Sequence, residues 1–297
     1  MTNRCFCCAR NCGIDRSSGK SFCGETETVR IARAALHHWE EPCISGTNGS
    51  GTVFFSGCNL RCVYCQNYDI SSCSKGFEIT VERLREIYFE LIGQGAHNIN
   101  FVTPSHFTEG ILKSLENIEL PVPVVFNTNG YDSAANLKRF ENKVQIYLPD
   151  LKYAENDLAI RFSHAPHYFE SACEAIDEMF RQRGPYVIDD DGILISGVVI
   201  RHLILPGHLE NSKKVIDYVA RRFKSGEVLF SLMRQYTPCG KVAEFPELQR
   251  TLSDEEYEEV QDYLFESGIE DGFLQDRESA SGDFIPSFNG EGVLKES

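Results

Sequence analysis

The sequence predicts an α/β fold: a partial (β/α)6 TIM-like barrel with a small Cys-rich, metal-binding segment ahead of it. Three observations carry that expectation. From Thr52 onward, β-rich runs and helix-periodic stretches alternate six times, the pattern of a parallel sheet with right-handed crossovers. The 297 residues contain no apolar run of roughly 18 or more, so no membrane span is expected. Ten of the twelve cysteines lie in the first 73 residues.

The elements follow in order. Residues 1–50 are rich in Cys, Gly and Arg and weakly periodic, and form the Cys-rich segment; residues 51–275 form the barrel and 276–297 an extended, wrapped or mobile tail. Thr52–Ser56 is the first strand. Val81–Ile92 is a helix, because Leu84, Ile87, Tyr88 and Leu91 recur at i, i+3, i+4 and i+7, with Thr80 as its N-cap. Asn98–Val102 is the second strand, with a helix near His106–Asn117. Val122–Phe126 and Val144–Leu148 are strands separated by a helix near Ala134–Glu141. A longer helical stretch around Glu155–Arg183 leads to the strand Gly197–Leu205. A helix at Asn211–Arg222, a strand at Val228–Met233 and a last helix, marked by the capping box of Ser253 and Glu256, complete the series. In such a fold, ligands gather at the C-terminal ends of the strands.

The formal charge of −15 is uneven: from Glu244 to Ser297 there are 16 acidic and 3 basic residues. No basic stripe exists, which argues against nucleic acid as a partner. The start, MTNRCFCCARNC, does not read as a secretory signal. A cytoplasmic protein is expected, and clustered cysteines there point to metal rather than disulfides.

Directly after the first strand comes Gly57-Cys58-Asn59-Leu60-Arg61-Cys62-Val63-Tyr64-Cys65-Gln66-Asn67, a C-x3-C-x2-C triplet on a loop. Structural zinc takes four closed ligands, whereas three thiolates on a 4Fe–4S cluster leave one iron open. Cys73, eight residues on, is the candidate for a fourth ligand. Cys5, Cys8, Cys12 and Cys23 make a second, four-thiolate set, with Cys7 as an alternative member. Zinc or a single iron, an auxiliary iron–sulfur cluster, or no metal are all compatible with it.

The triplet loop, its place after the first strand, and Tyr64 before the third cysteine resemble the radical S-adenosylmethionine (SAM) superfamily. The likeness extends to its pyruvate formate-lyase activating-enzyme-like branch through CCARNCGIDRSSGKSFCG, ARAALHHWEEPCISGT, FFSGCNLRCVYCQNYDIS, NINFVTPSH, FNTNGY, LPDLKYA, IRHLILPG and FIPSFNGEGV. The resemblance implies an iron-dependent oxidoreductase in which Cys58, Cys62 and Cys65 hold a catalytic 4Fe–4S cluster. Its open iron chelates SAM, and one electron then yields a 5′-deoxyadenosyl radical that abstracts hydrogen. It also implies a flavodoxin- or ferredoxin-type reductant. The substrate is a glycyl-radical enzyme to be activated, or another protein or small molecule. Gln66-Asn67-Tyr68 departs from the His-Asn-Pro seen after the motif in established activases.

SAM-binding positions follow from the same likeness. Tyr64 belongs to the cluster loop. Thr103 and Ser105 stand where the superfamily often has Gly-Gly-Glu, although Ser105 also fits a helix N-cap. Asn127 and Thr128 end the third strand, with Asn127 in place of the usual acid. Asp150 and Lys152 follow the fourth strand, where a plain salt bridge or turn is the alternative. Arg201 is a charge in an apolar strand and needs either a SAM carboxylate or a neighbouring acid. Met233 is a faint match, with core packing as the alternative. His37, His38, Trp39, Glu40 and Glu41 form a polar-aromatic patch before the barrel that reads as a solvated connector, with the shaping of a substrate mouth as the alternative. Cys239 is read as a structural thiol before a hydrogen-atom donor or extra ligand. A non-catalytic iron–sulfur protein for electron transfer or scaffolding is the reading from a different class, and it would require Cys73 to close the cluster.

Overall fold

The computed structural model describes residues 4–275 and 286–295. Its strands are β1 (Arg30–His37), β2 (Ser50–Phe55), β3 (Phe77–Glu78), β4 (Ile99–Val102), β5 (Val124–Thr128), β6 (Ile146–Pro149), β7 (Val187–Ile188), β8 (Leu194–Leu203), β9 (Leu229–Met233) and β10 (Gly272–Leu274). They order as β10-β9-β8-β6-β5-β4-β2-β1-β3, with β7 pairing β8. From β2 to β10 along this path every pairing is parallel. The two edges, β3 and β10, do not meet, so the barrel is open.

All six expected strands are present, and β10 adds a seventh parallel one. The helix Val81–Gly93 buries Leu84, Ile87, Tyr88 and Leu91, and the Thr80 side chain accepts from the Arg83 amide. Ser253 and Glu256 form the reciprocal capping box of helix Asp254–Glu266. Two expectations change. The stretch Glu155–Arg183 is two helices, Asn156–Ser163 and Tyr168–Arg183, because Pro166 sits between His164 and His167, both at positive φ. Residues 1–50 are not wholly irregular: Arg30–His37 pairs antiparallel with β2.

Strand alternation builds the interior in layers. Val125, Ile146, Leu148, Val199 and Leu229 pack with Cys43 and Ile44 in one apolar cluster. Continuing by twos along the same strands brings Asn127, Asp150, Arg201 and then Ser231 onto the same inner face. The opposite faces carry Phe55, Phe101, Phe126 and Ile200 into the larger core beneath the helices. An apolar floor thus carries a polar layer, and above it lie the strand ends.

Part of the segment assigned to the tail also lies in this core. Phe288 packs on Phe54 at 5.4 Å between ring centroids. The Ala34 amide donates to the Glu291 carbonyl at 2.8 Å, Gly290 N–H to the Ala32 carbonyl at 3.1 Å, and Val293 is fully buried. Residues 286–295 therefore wrap onto β1, whereas 276–285 and 296–297 fall outside the described residues.

Candidate active site

The cysteine loop leaves β2 through Gly57, at φ +80°, where a Cβ would stand 2.6 Å from the Cys23 carbonyl oxygen; only glycine fits there. The loop is pinned from several sides. Cys58 N–H donates to the Cys23 carbonyl at 3.3 Å, Val63 N–H to Phe162 at 2.8 Å, and Lys241 N–H to Val63 at 2.6 Å. Arg10 Nε reaches the Asn59 carbonyl at 2.8 Å, and its guanidinium lies 3.5 Å above the Phe22 ring. The Cys-rich segment is therefore the backing of this loop.

Each sulfur of the triplet receives a donor. Ser163 Oγ donates to Cys62 Sγ at 2.9 Å, Ser71 Oγ to Cys65 Sγ at 3.2 Å, and Asn129 Nδ2 to Cys58 Sγ at 3.4 Å, joined by the Leu60 amide at 3.4 Å. Burial pushes the Cys62 thiol up to about 12 and the Cys65 thiol to about 11, so only metal coordination would ionise them at neutral pH. A set of acceptors surrounded by donors suits three thiolates on a cluster. Among the described residues no three His, Cys, Asp or Glu side chains converge on a single ion. The triplet does not need that, since a cubane spreads its ligands over separate irons. Cys73 is exposed and outside the cleft lining.

The triplet opens into a cleft of about 240 Å3 at the strand ends. Tyr64, Thr103, Asn127, Thr128, Asp150, Lys152, Arg201 and Met233 all line it. Ser105 does not: it is buried and its hydroxyl donates to Asp132, which also takes the Thr128 hydroxyl. Thr103 sits at φ +57°, a strained conformation for a β-branched residue. Met233, at the end of β9, is buried on the cleft wall. A larger hollow, about 910 Å3, lies at the N-terminal ends of β5 and β6 around Pro121, Val124 and Gln145, with no cysteine in its lining.

A buried ionic network forms the cleft floor. Arg201 Nε donates to Asp150 Oδ1 at 2.8 Å, Nη1 to Glu40 Oε2 at 2.9 Å and Nη2 to Asn127 Oδ1 at 2.7 Å. Asn127 Nδ2 and Asn100 Nδ2 donate to Glu40 Oε1 at 2.9 and 3.2 Å, and Lys152 Nζ binds Asp150 Oδ2. Burial drives the Asp150 carboxyl upward, but Arg201 and Lys152 outweigh it and hold the carboxyl below its usual range. Burial raises Glu40 and Glu41 despite Arg201. The connector reading of Glu40 and Glu41 is therefore corrected: their carboxylates turn inward beside Arg201, and Cys43 and Ile44 lie in the barrel floor, while His38 and Trp39 stay exposed. The signal that would have found the two glutamates is Arg201, whose burial demanded an acid.

Tyr153 and Ser163 were also missed. Tyr64 Oη, Tyr153 Oη and Ser163 Oγ form a chain of 2.6 Å hydrogen bonds that ends on Cys62. Of the N-terminal set, Cys8 is buried with its thiol pushed up to about 12 by that burial, Cys23 Sγ contacts Ser21 Oγ at 2.7 Å, and Cys12 Sγ lies 3.9 Å from the Cys5 carbonyl. Among the described residues these four thiols form no single-ion site. Cys239 Sγ donates to the Tyr64 carbonyl at 3.1 Å, behind the loop.

Comparison with known proteins follows the same lines. Residues 52–219 match the radical SAM superfamily model. Protein MJ0674 of Methanocaldococcus jannaschii is 30% identical over 267 residues, which is 86% of this chain and 72% of that one. The pyruvate formate-lyase-activating enzyme of Clostridium pasteurianum is 29% identical over 122 residues, 38% of this chain and 50% of that enzyme. Among solved structures, a spore photoproduct lyase superposes with a TM-score of 0.51 at 12% identity, covering 82% of this chain and 81% of that one, a likeness of fold. By its cysteine loop, its open barrel and the matching model, the chain belongs to the radical SAM superfamily and within it resembles the pyruvate formate-lyase-activating branch.

Proposed function

We propose that the protein reductively cleaves SAM at a 4Fe–4S cluster held by Cys58, Cys62 and Cys65, and uses the resulting 5′-deoxyadenosyl radical to abstract hydrogen from a substrate. The observation that carries this reading is the triplet itself: three sulfurs, two buried and one partly so, each with a hydrogen-bond donor, facing a cleft lined by Asp150, Lys152 and Arg201. When bound, the cluster supplies the electron and an open coordination site. The residues do the rest. Asp150 stays ionised between two cations, Arg201 is locked into a fixed orientation, and Tyr64 on the cleft wall is tied through buried Tyr153 and Ser163 to Cys62. Lys152, Asn127 and Thr128 line the same cleft, their side chains held by Asp150, by Arg201 with Glu40, and by Asp132.

Activation of a glycyl-radical enzyme is the form of this reaction favoured by the 122-residue likeness to an activating enzyme. A protein substrate would then present a loop to the strand-end mouth, with a flavodoxin- or ferredoxin-type reductant. The test is anaerobic reconstitution with iron and sulfide, then SAM and dithionite, with chromatography for 5′-deoxyadenosine. Formation that disappears in Cys62→Ala supports the radical enzyme. A fully ligated cluster that neither binds nor cleaves SAM identifies an electron carrier instead.

A further inference from the structure

The cysteine loop has two sides. Cys58, Cys62, Tyr64 and Cys65 line the cleft. Arg61, between the first two cysteines, does not, and neither do Arg10 and Phe22 of the Cys-rich segment. These three side chains meet away from the cleft. The guanidinium carbons of Arg10 and Arg61 lie 3.5 and 4.7 Å from the centroid of the one Phe22 ring. All three residues are partly exposed. Arg61 also sits at φ +65°, a conformation an arginine adopts only under strain.

The two charges are uncompensated. Arg10 donates to a pair of carbonyls, those of Asn59 and His164, and Arg61 Nε is buried with no hydrogen-bond partner. Among the described residues neither guanidinium makes an ion pair; the neighbouring acid, Glu25, is buried against Arg30 at 3.3 Å. Residues 4–24 and 57–67 together carry Arg4, Arg10, Arg16, Lys20 and Arg61 against Asp15 alone, in a chain of formal charge −15. Two guanidiniums on one ring repel each other until an anion joins them. Stacking holds both in place, and their planar forks match carboxylates. At physiological salt, acids farther off than about 8 Å are screened, whereas a contact made at this pair is not.

We propose that this outer side of the loop docks an acidic one-electron carrier protein, whose surface carboxylates meet Arg10 and Arg61 while the cleft stays open to SAM. The assignment gives the reductant of the reaction proposed above its binding face and rests on that reading. Arg61 precedes Cys62 directly in the chain, so a carrier seated on it stands beside a cluster ligand. One electron passes from carrier to cluster, and no bond is made or broken. The probe is a plant-type 2Fe–2S ferredoxin, an acidic carrier, titrated anaerobically in its oxidised form into the cluster-loaded protein by calorimetry.

The expected result is saturable binding in about 0.1 M salt that weakens about tenfold in about 0.5 M salt. Arg61→Glu weakens it about tenfold or more with the cluster absorbance retained, and Arg61→Lys stays within about threefold of the parent. Saturating SAM leaves the carrier bound. Binding that ignores salt, binding equally tight in Arg61→Glu, or no saturable binding overturns the assignment. Displacement by SAM overturns it too, and so does displacement by inorganic phosphate at constant ionic strength, which would give the face to a small anion. Should Arg61→Glu lose its cluster, Arg61→Gln and the salt series on the unmodified protein decide. The 5′-deoxyadenosine assay uses dithionite and needs no carrier, so loss of docking leaves that result standing, and the reverse holds as well.

Discussion

Ser163 is the last residue of its helix, yet its hydroxyl lies 2.9 Å from Cys62, 101 residues away in sequence. A donor on a cluster ligand withdraws charge from the sulfur and raises the reduction potential. Ser163→Ala is therefore expected to make the potential of the cluster more negative and to slow 5′-deoxyadenosine formation on the order of tenfold, with iron content unchanged. A redox titration followed by paramagnetic resonance checks this, and an unmoved potential would refute it. At this scale the sequence was unevenly legible. Cys58, Cys62 and Cys65 announce themselves by spacing alone. Asp150, Lys152 and Arg201 were visible as charges at or near strand ends. Glu40 and Glu41 were not, because two adjacent acids after two histidines look solvated until the barrel closes around them.

Among the elements, helices with one apolar stripe were the easiest to read. Val81–Gly93 carries its cap and its buried face in plain view, and the long parallel strands stand out as short β-rich runs. β1 was hidden because Arg30–His37 holds three alanines and two arginines, a composition nearer to helix than to strand. It becomes a strand through its neighbours: β2 pairs along one edge, and β3 with residues 290–291 takes the other. Gly292 makes that second contact possible. It sits at φ +68° with no room for a Cβ against the Ala34 carbonyl. Gly292→Ala is expected to loosen the 286–295 segment and cost roughly 1–3 kcal/mol. Chemical denaturation measures the loss, and an unchanged midpoint would count against the packing described. β10, three residues in an acidic stretch, gave no periodic signal at all.

For the molecule as a whole, the layered interior was legible as an order of strands but not as a charge balance. An excess buried carboxylate should appear in global stability. Burial, opposed by Arg201, raises the Glu41 pKa, so the folded state takes up a proton more readily than the unfolded chain. Its contribution therefore becomes less favourable as pH rises above the ordinary carboxyl range near about 4.3. Glu41→Gln is expected to be more stable than the parent by about 1–3 kcal/mol at pH 7, with the advantage vanishing below about pH 4. Unfolding curves at the two pH values test this, and a variant less stable at pH 7 would contradict it.

The wrapped segment also sets a schedule. Arg33 and Glu291 bind across 258 residues, and the cysteine loop is braced by Cys23, Phe162 and Lys241. While a ribosome is still reading the first two hundred codons, the triplet is already exposed, but the Lys241 brace and the Glu291 contact have not been made. Contacts this distant form late. Iron–sulfur loading therefore belongs after translation, onto a chain that has reached at least Val293, and a nascent chain stalled short of that point should not retain it.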